Sequence, residues 1–317
     1  MPWTEELAHF GWIILMGFFV AAACGLVGNY LILRRMALVG DAISHSILPG
    51  LAGAFLVAAA FQSNQSDERG LGFSIAMFIG ALLAALLTTV IIEVIHKKTR
   101  VKQDAAIGIA FSSLFALGVV MINLFSADIH LDADCVLYGE ITYIPLENHF
   151  MIGDKEIAPI PVVRMGIVAA ITLCLIIAFY KELLVSSFDS GLAASLGINA
   201  TAVHYGLMAW LSIVVVSAFE AVGAILVIAM LILPGATASL LTTRLSFIMI
   251  LTVIHAALST VLGVHLGLWL DCSTAGAMVV AGAFLFTLTW AAKQVQALLH
   301  RPDLREKDQT IGESPAV

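Results

Sequence analysis

The 317-residue sequence carries 15 Lys and Arg against 22 Asp and Glu, a formal net charge of −7, with 12% charged and 61% hydrophobic residues. Its mean hydropathy is +1.02, whereas soluble domains carry about 25% charged residues. These figures exclude an ordinary soluble enzyme, and with no basic patch there is no footing for nucleic-acid binding.

Apolar blocks of roughly 18 or more residues recur along the chain, each long enough as a helix to cross about 30 Å of hydrocarbon. Backbone groups have no water to bond inside a bilayer, so such blocks must be helices or closed barrels, and barrels would alternate apolar and polar residues. The expected fold class is therefore all-α: a polytopic integral membrane protein of about nine transmembrane helices. In chain order the spans read as residues 10–33, 37–61, 73–95, 104–125, 162–180, 203–219, 221–241, 246–269 and 275–292. Glu5 and Glu6 stand where a cleavable signal would have basic residues, so the first span is expected to remain.

Basic residues follow alternate spans: Arg34 and Arg35 after the first, Lys97, Lys98, Arg100 and Lys102 after the third, Lys181 after the fifth, Arg244 after the seventh, and Lys293 and Arg301 after the last. The positive-inside rule then places the N-terminus outside and the C-terminus inside. The block 203–241 is interrupted only by Glu220. Reading it as a single crossing would put Lys293 and Arg301 outside, so two crossings are expected. Residues 62–72 form a short outside loop, 126–161 a longer outside segment with Asp128, Asp132, Asp134 and Glu140, and 181–202 an inside segment. Residues 1–300 read as one membrane domain and 301–317 as a charged inside tail of disordered composition. Cys24, Cys135, Cys174 and Cys272 are scattered without a CxxC pair and are not expected to form a metal or disulfide centre.

Polar residues inside apolar spans carry the functional information. The sharpest group opens span two, in Gly40-Asp41-Ala42-Ile43-Ser44-His45-Ser46. Asp41 and His45 are four apart and share one helix face. A carboxylate and an imidazole aimed at one point can ligate a first-row divalent cation. The same pair could equally lock two helices together, with Ser44 and Ser46 as interhelical hydrogen bonders. Pro49 and Gly50 follow and should kink the helix, freeing backbone groups beside the pair. Glu220 is either a gate or extra ligand, or a solvated residue at the tip of a hairpin. His204, His255 and His265 read more readily as helix–helix hydrogen bonders than as ligands. Neither GxxxxGK[ST] nor HExxH occurs, so the chain has no phosphate-binding loop and no zinc-protease motif.

The run from Leu33 to Gly50, LRRMALVGDAISHSILPG, resembles the signature of the manganese/zinc/iron class of ABC importer permeases. Leu137-Tyr138-Gly139 resembles that family's LFG element. Ser187-Phe188-Asp189 with Ala193-Ala194 and Leu196-Gly197-Ile198 resembles its cytoplasmic segment. Val222-Gly223 through Leu233-Pro234-Gly235-Ala236-Thr237-Ala238 resembles its VG…LL..PAATA block. The likeness runs from about residue 10 to 292. Departures are Tyr138 for Phe, Gly235 for the first Ala of PAATA, Glu220, and an apparent insertion over 149–161.

The resemblance implies a permease core paired with a second copy or a paralogue in the cell's inner (plasma) membrane. It implies a separate cytoplasmic ABC ATPase, and an extracytoplasmic protein that delivers the metal. It implies that Asp41 and His45 form the metal site in the path, that the cargo is a divalent Mn, Zn or Fe ion with no cofactor permanently bound, and that the inside segment couples to the ATPase. Within that segment Phe188, Leu192 and Leu196 recur at i, i+4 and i+8, which predicts one stripe on a helix over 186–197, capped by Asp189 or Ser190 and ended by Gly197. The competing expectation is an ion-coupled secondary transporter in which Asp41, His45 and Glu220 relay protons or ions.

Overall fold

The computed structural model describes residues 2–61, 71–125, 141–146, 149–152 and 155–299. In chain order these form α1 (Pro2–Leu33), α2 (Leu38–Ser46), α3 (Leu48–Phe61), α4 (Leu71–Lys98), α5 (Gln103–Phe125) and a 3-10 turn (Ile141–Leu146). After a short hairpin, β1 (His149–Ile152) and β2 (Lys155–Pro159), follow α6 (Ile160–Ala178), α7 (Tyr180–Phe188), α8 (Ser190–Ser195), α9 (Ala200–Leu241), α10 (Leu245–Leu270) and α11 (Thr274–Leu299).

Among the described residues, nine helical stretches are long and apolar enough to cross a membrane: Phe10–Leu33, Leu38–Val57, Ile75–Lys98, Gln103–Leu124, Ile160–Ala178, Ala200–Phe219, Ala221–Leu241, Leu245–Leu270 and Thr274–Leu299. They coincide with the nine expected spans to within four residues at each end, except that the last runs seven residues further, to Leu299. Among the described residues, the departure from an all-helical chain is the antiparallel hairpin β1–β2, in the stretch read as inserted. The Leu137-Tyr138-Gly139 element, Cys135 and the tail 301–317 lie outside the described residues.

Helix α1 is the hub. Every residue from Val20 to Leu31 is buried, and α1 packs on α9, α10, α6 and the 3-10 turn. By contrast the most apolar window of α6 is only 22% buried, against 61% for α1, so α6 stands at the rim with much of its surface turned outward. The close approach of α1 to α9 depends on Gly28, where an added Cβ would run into the Leu231 carbonyl. Membrane helices pack through such small residues because lipid supplies no hydrophobic drive between them. Asn29 adds a polar knot: its amide donates to Thr252 Oγ1 at 3.0 Å, and the Thr252 hydroxyl donates back to the Ile248 carbonyl at 2.8 Å. The departure at Gly235 now has a physical reason, since a Cβ there would collide with Asn29 Oδ1.

The 42 residues of α9 would span about 63 Å as one straight rod, twice the hydrocarbon thickness. They do not form one rod. Gly223 takes φ 76 and ψ 170, a conformation open to glycine and closed to other residues, and the helix breaks there. His204, near the start of α9, lies 3.2 Å from Arg34 just past the C-terminal end of α1. Gly235, near the other end of α9, faces Asn29 and Ile32 in the last two turns of α1. Both ends of α9 therefore return to one end of the bundle, and the block makes two crossings with the reversal near Gly223, three residues after Glu220.

Candidate functional site

Asp41 and His45 sit on α2, one turn apart as their spacing requires. His45 Nε2 lies 3.4 Å from Asp41 Oδ1, and the side chains are 26% and 39% exposed respectively. The helix beneath them is held on its other faces. Val39, Gly40, Ala42, Ile43, Ser44 and Ser46 are all buried, against α9, α5 and α4. The Ser44 hydroxyl turns back to the Gly40 carbonyl at 3.0 Å, and Ser46 bonds Ala42 in the same way. The serine hydroxyls therefore donate within α2, which gives no support to the alternative in which they bond neighbouring helices.

The His45 imidazole is fixed by α5. It stands at 5.3 Å, centroid to centroid, from Phe111 and at 5.9 Å edge-on from Phe115, and these two rings stack at 6.0 Å. Aromatic contacts of this geometry contribute about 0.5–1.5 kcal/mol beyond area burial and fix ring orientation. Sequence reading passed over both phenylalanines because an aromatic pair at i, i+4 in an apolar span looks like any lipid-facing or core stripe. Helix assignment is interrupted just before Pro49, α2 ending at Ser46 and α3 beginning at Leu48, while Ile47 between them keeps helical angles (φ −65, ψ −29). Pro49 has no N–H to give the His45 carbonyl, which leaves that oxygen without its usual helical partner. Among the described residues no cluster of three or more His, Cys, Asp or Glu side chains forms.

A second polar group lies where α1, α4, α7 and α9 meet. Glu93 of α4, 14% exposed, takes Lys97 Nζ on Oε1 at 2.6 Å and His204 Nε2 on Oε2 at 3.4 Å. Arg34 approaches His204 Nδ1 at 3.2 Å through Nη1, and donates from Nε to Ser187 Oγ at 3.1 Å and from Nη2 to Ser186 Oγ at 2.9 Å. Burial pulls the Arg34 guanidinium below its ordinary pKa, but the group stays charged. Glu93 and His204 border a cavity of about 320 Å³, whose wall includes Met36, Val39 and Met208. His204 thus takes the helix–helix role expected of it, and Glu93, absent from the sequence reading, carries a readable signal: a carboxylate in an apolar span with a lysine four residues on. His255 is buried and donates from Nε2 to the Gly282 carbonyl at 3.3 Å, the helix–helix role expected of it. His265 is exposed.

The segment read as coupling departs from one helix over 186–197. It breaks at Asp189 (φ −148, ψ 106), so Phe188 closes α7, Leu192 lies in α8 and Leu196 is the C-cap of α8. The break follows from the capping chemistry. Asp189 Oδ1 accepts from the Gly191 and Leu192 amides at 2.8 and 3.0 Å, which starts a new helix and ends the old one. Gly197, at φ +78, closes α8 in a Schellman turn: its amide donates to the Ala194 carbonyl at 3.1 Å and that of Ile198 to the Ala193 carbonyl at 2.9 Å. Phe188, Leu192 and Leu196 remain 66%, 50% and 61% exposed, spread over α7, α8 and the C-cap of α8 where one helix was expected. Glu220 lies in α9 beside the reversal.

Comparison with known proteins agrees with this architecture. The model of the ABC 3 transport family matches residues 8–293. The manganese transport system membrane protein MntD of Bacillus subtilis is 41% identical over 282 residues, covering 87% of this chain and 91% of the relative. The zinc transport system membrane protein TroD of Treponema pallidum is 37% identical over 289 residues, covering 91% and 75%. Among solved structures, PsaBC from Streptococcus pneumoniae in complex with Fab superposes with a TM-score of 0.72 at 33% identity, over 91% of this chain and 94% of that one. With a family model spanning nearly the whole chain and relatives matched over most of their own length, this protein belongs to the ABC 3 transport family and is a multi-pass membrane permease.

Proposed function

We propose that this permease imports divalent transition-metal ions, of the class Mn, Zn or Fe, and that Asp41 and His45 handle the ion in its path. The observation that carries the reading is the pair itself. A carboxylate and an imidazole held 3.4 Å apart are borderline-hard donors with no thiolate, a set that suits these cations. The His45 carbonyl, freed by Pro49, offers a further oxygen on the same turn, and water or a second permease copy supplies the remaining donors. A lipid-facing carboxylate would be costly, so the partly exposed face of α2 lines the path between two permease subunits.

The remaining partners are those that membership in the ABC transport family implies: a separate cytoplasmic ABC ATPase, in keeping with the lack of a phosphate-binding loop in this sequence, and an extracytoplasmic metal-binding protein that delivers the ion. The exposed Phe188, Leu192 and Leu196 form the apolar face that docks on the ATPase. The orientation that makes this end cytoplasmic, in the inner membrane, is the one the basic residues favour. Membership in an ABC transport family leaves the ion-coupled relay through Asp41, His45 and Glu220 without support. The test is co-purification with an ABC ATPase, followed by Mn²⁺ and Zn²⁺ uptake in vesicles with and without ATP. Uptake that proceeds equally without ATP would overturn the reading.

A further inference from the structure

The three bonds made by Arg34 have a directionality that settles the state of every group around it. The Ser186 and Ser187 hydroxyls spend their protons on the Leu183 carbonyl, at 3.3 and 2.6 Å, which leaves their lone pairs to accept from Arg34. A guanidinium only donates, so His204 Nδ1 must accept from Nη1. The His204 proton then resides on Nε2 and points to Glu93 Oε2, and the other Glu93 oxygen is held by Lys97. The result is one directed chain from α7 through α1 and α9 to α4. On one side it holds the last turn of α7, immediately before Phe188 and Asp189. On the other it grips α4 and α9, both of which pack against α2 with its Asp41–His45 pair.

We propose that Arg34 is a coupling clasp: it ties the α7–α8 segment to the helices that position α2, so that movement of the docked segment is passed to the metal path. The proposal rests on the reading of α7–α8 as the ATPase-docking face. Mechanical coupling of this kind needs a stiff, geometrically specified joint. A planar fork with three simultaneous acceptors on two helices is such a joint, and a lysine's single ammonium cannot reproduce it. The neighbouring Arg35 carries the same charge, is exposed, and stands in a left-handed turn at φ 59, without a role in the chain of bonds described. It separates the geometry of the clasp from the orienting effect of charge.

The experiment uses the complete transporter, with its ATPase and metal-delivering protein, reconstituted in vesicles, and measures ATP hydrolysed per Mn²⁺ imported. Arg34→Lys, and separately the double change Ser186→Ala with Ser187→Ala, should retain the bound ATPase yet raise that ratio about threefold or more. Arg35→Gln should leave it unchanged. An unaltered ratio in both clasp variants would overturn the proposal, as would equal uncoupling by Arg35→Gln. Loss of the ATPase from the Arg34→Lys complex would also overturn it, because the arginine would then merely build the docking face. The docking reading fails by a different result, normal ATPase association in Phe188→Glu.

Discussion

Gly118 of α5 offers a quantitative test of the packing behind the candidate metal pair. A Cβ added there would stand 2.8 Å from both the ring nitrogen and Cδ of Pro49 and 3.0 Å from Leu48 Cβ, at the break that follows His45. Ordinary carbon contacts lie near 3.5–4.0 Å, so α5 and the α2–α3 break would have to part by about 0.7 Å. Neither a proline ring nor a backbone nitrogen can swing aside. Overpacking of this kind costs about 1–3 kcal/mol, more than the roughly 0.5–1 kcal/mol an alanine gains over glycine within a helix. Gly108, on the same helix, has nothing within 4 Å of its would-be Cβ. Gly118→Ala should therefore lower the melting temperature of the purified permease in detergent while Gly108→Ala holds or raises it. Gly118→Ala should also slow uptake, since the same shift carries Phe111 and Phe115 away from His45. Equal melting temperatures for the two variants would refute the close approach of α5 to Pro49.

Three further outcomes are expected. Phe188→Glu or Leu192→Glu should weaken ATPase association in pull-down while leaving the permease inserted; full retention of the ATPase would mean that the exposed patch serves another contact. Asp189→Ala removes a cap bonded to two amides and should destabilise α8 by about 1 kcal/mol, seen as faster amide exchange over Gly191 and Leu192 with α10 unaffected. Phe111→Leu should loosen the His45 ring and raise the Mn²⁺ concentration needed for half-maximal uptake, and unchanged concentration dependence would remove Phe111 from the site.

The spans were readable because bilayer crossing imposes a length and an apolarity that composition alone reveals. Even the two crossings in 203–241 followed from the placement of Lys293 and Arg301, a global charge argument that the contacts of His204 and Gly235 with α1 bear out. The break at Glu220 between the two spans was also readable, and only the residue that carries the non-helical backbone, Gly223, was not, because it looks in sequence like any other small residue of a packed helix. The i, i+4, i+8 pattern of Phe188, Leu192 and Leu196 suggested one helix, yet a single carboxylate at Asp189 outweighs periodicity by capping a new one. Asp41 and His45 stood out because they are local in sequence. Arg34, Glu93 and His204 did not, since their partnership joins positions from three helices and each alone has an ordinary explanation: a topology signal, an i, i+4 ion pair and a lone histidine.

The central claim is that a divalent metal ion passes between Asp41 and His45 at the expense of ATP. Its most direct test is ATP-driven ⁵⁴Mn²⁺ uptake by vesicles containing the assembled transporter, measured side by side for the wild type, Asp41→Ala and His45→Ala, with ATPase occupancy verified in each. Uptake should be lost in both variants while the ATPase remains bound. Wild-type uptake in both would contradict the account and leave Asp41 and His45 as a structural pair.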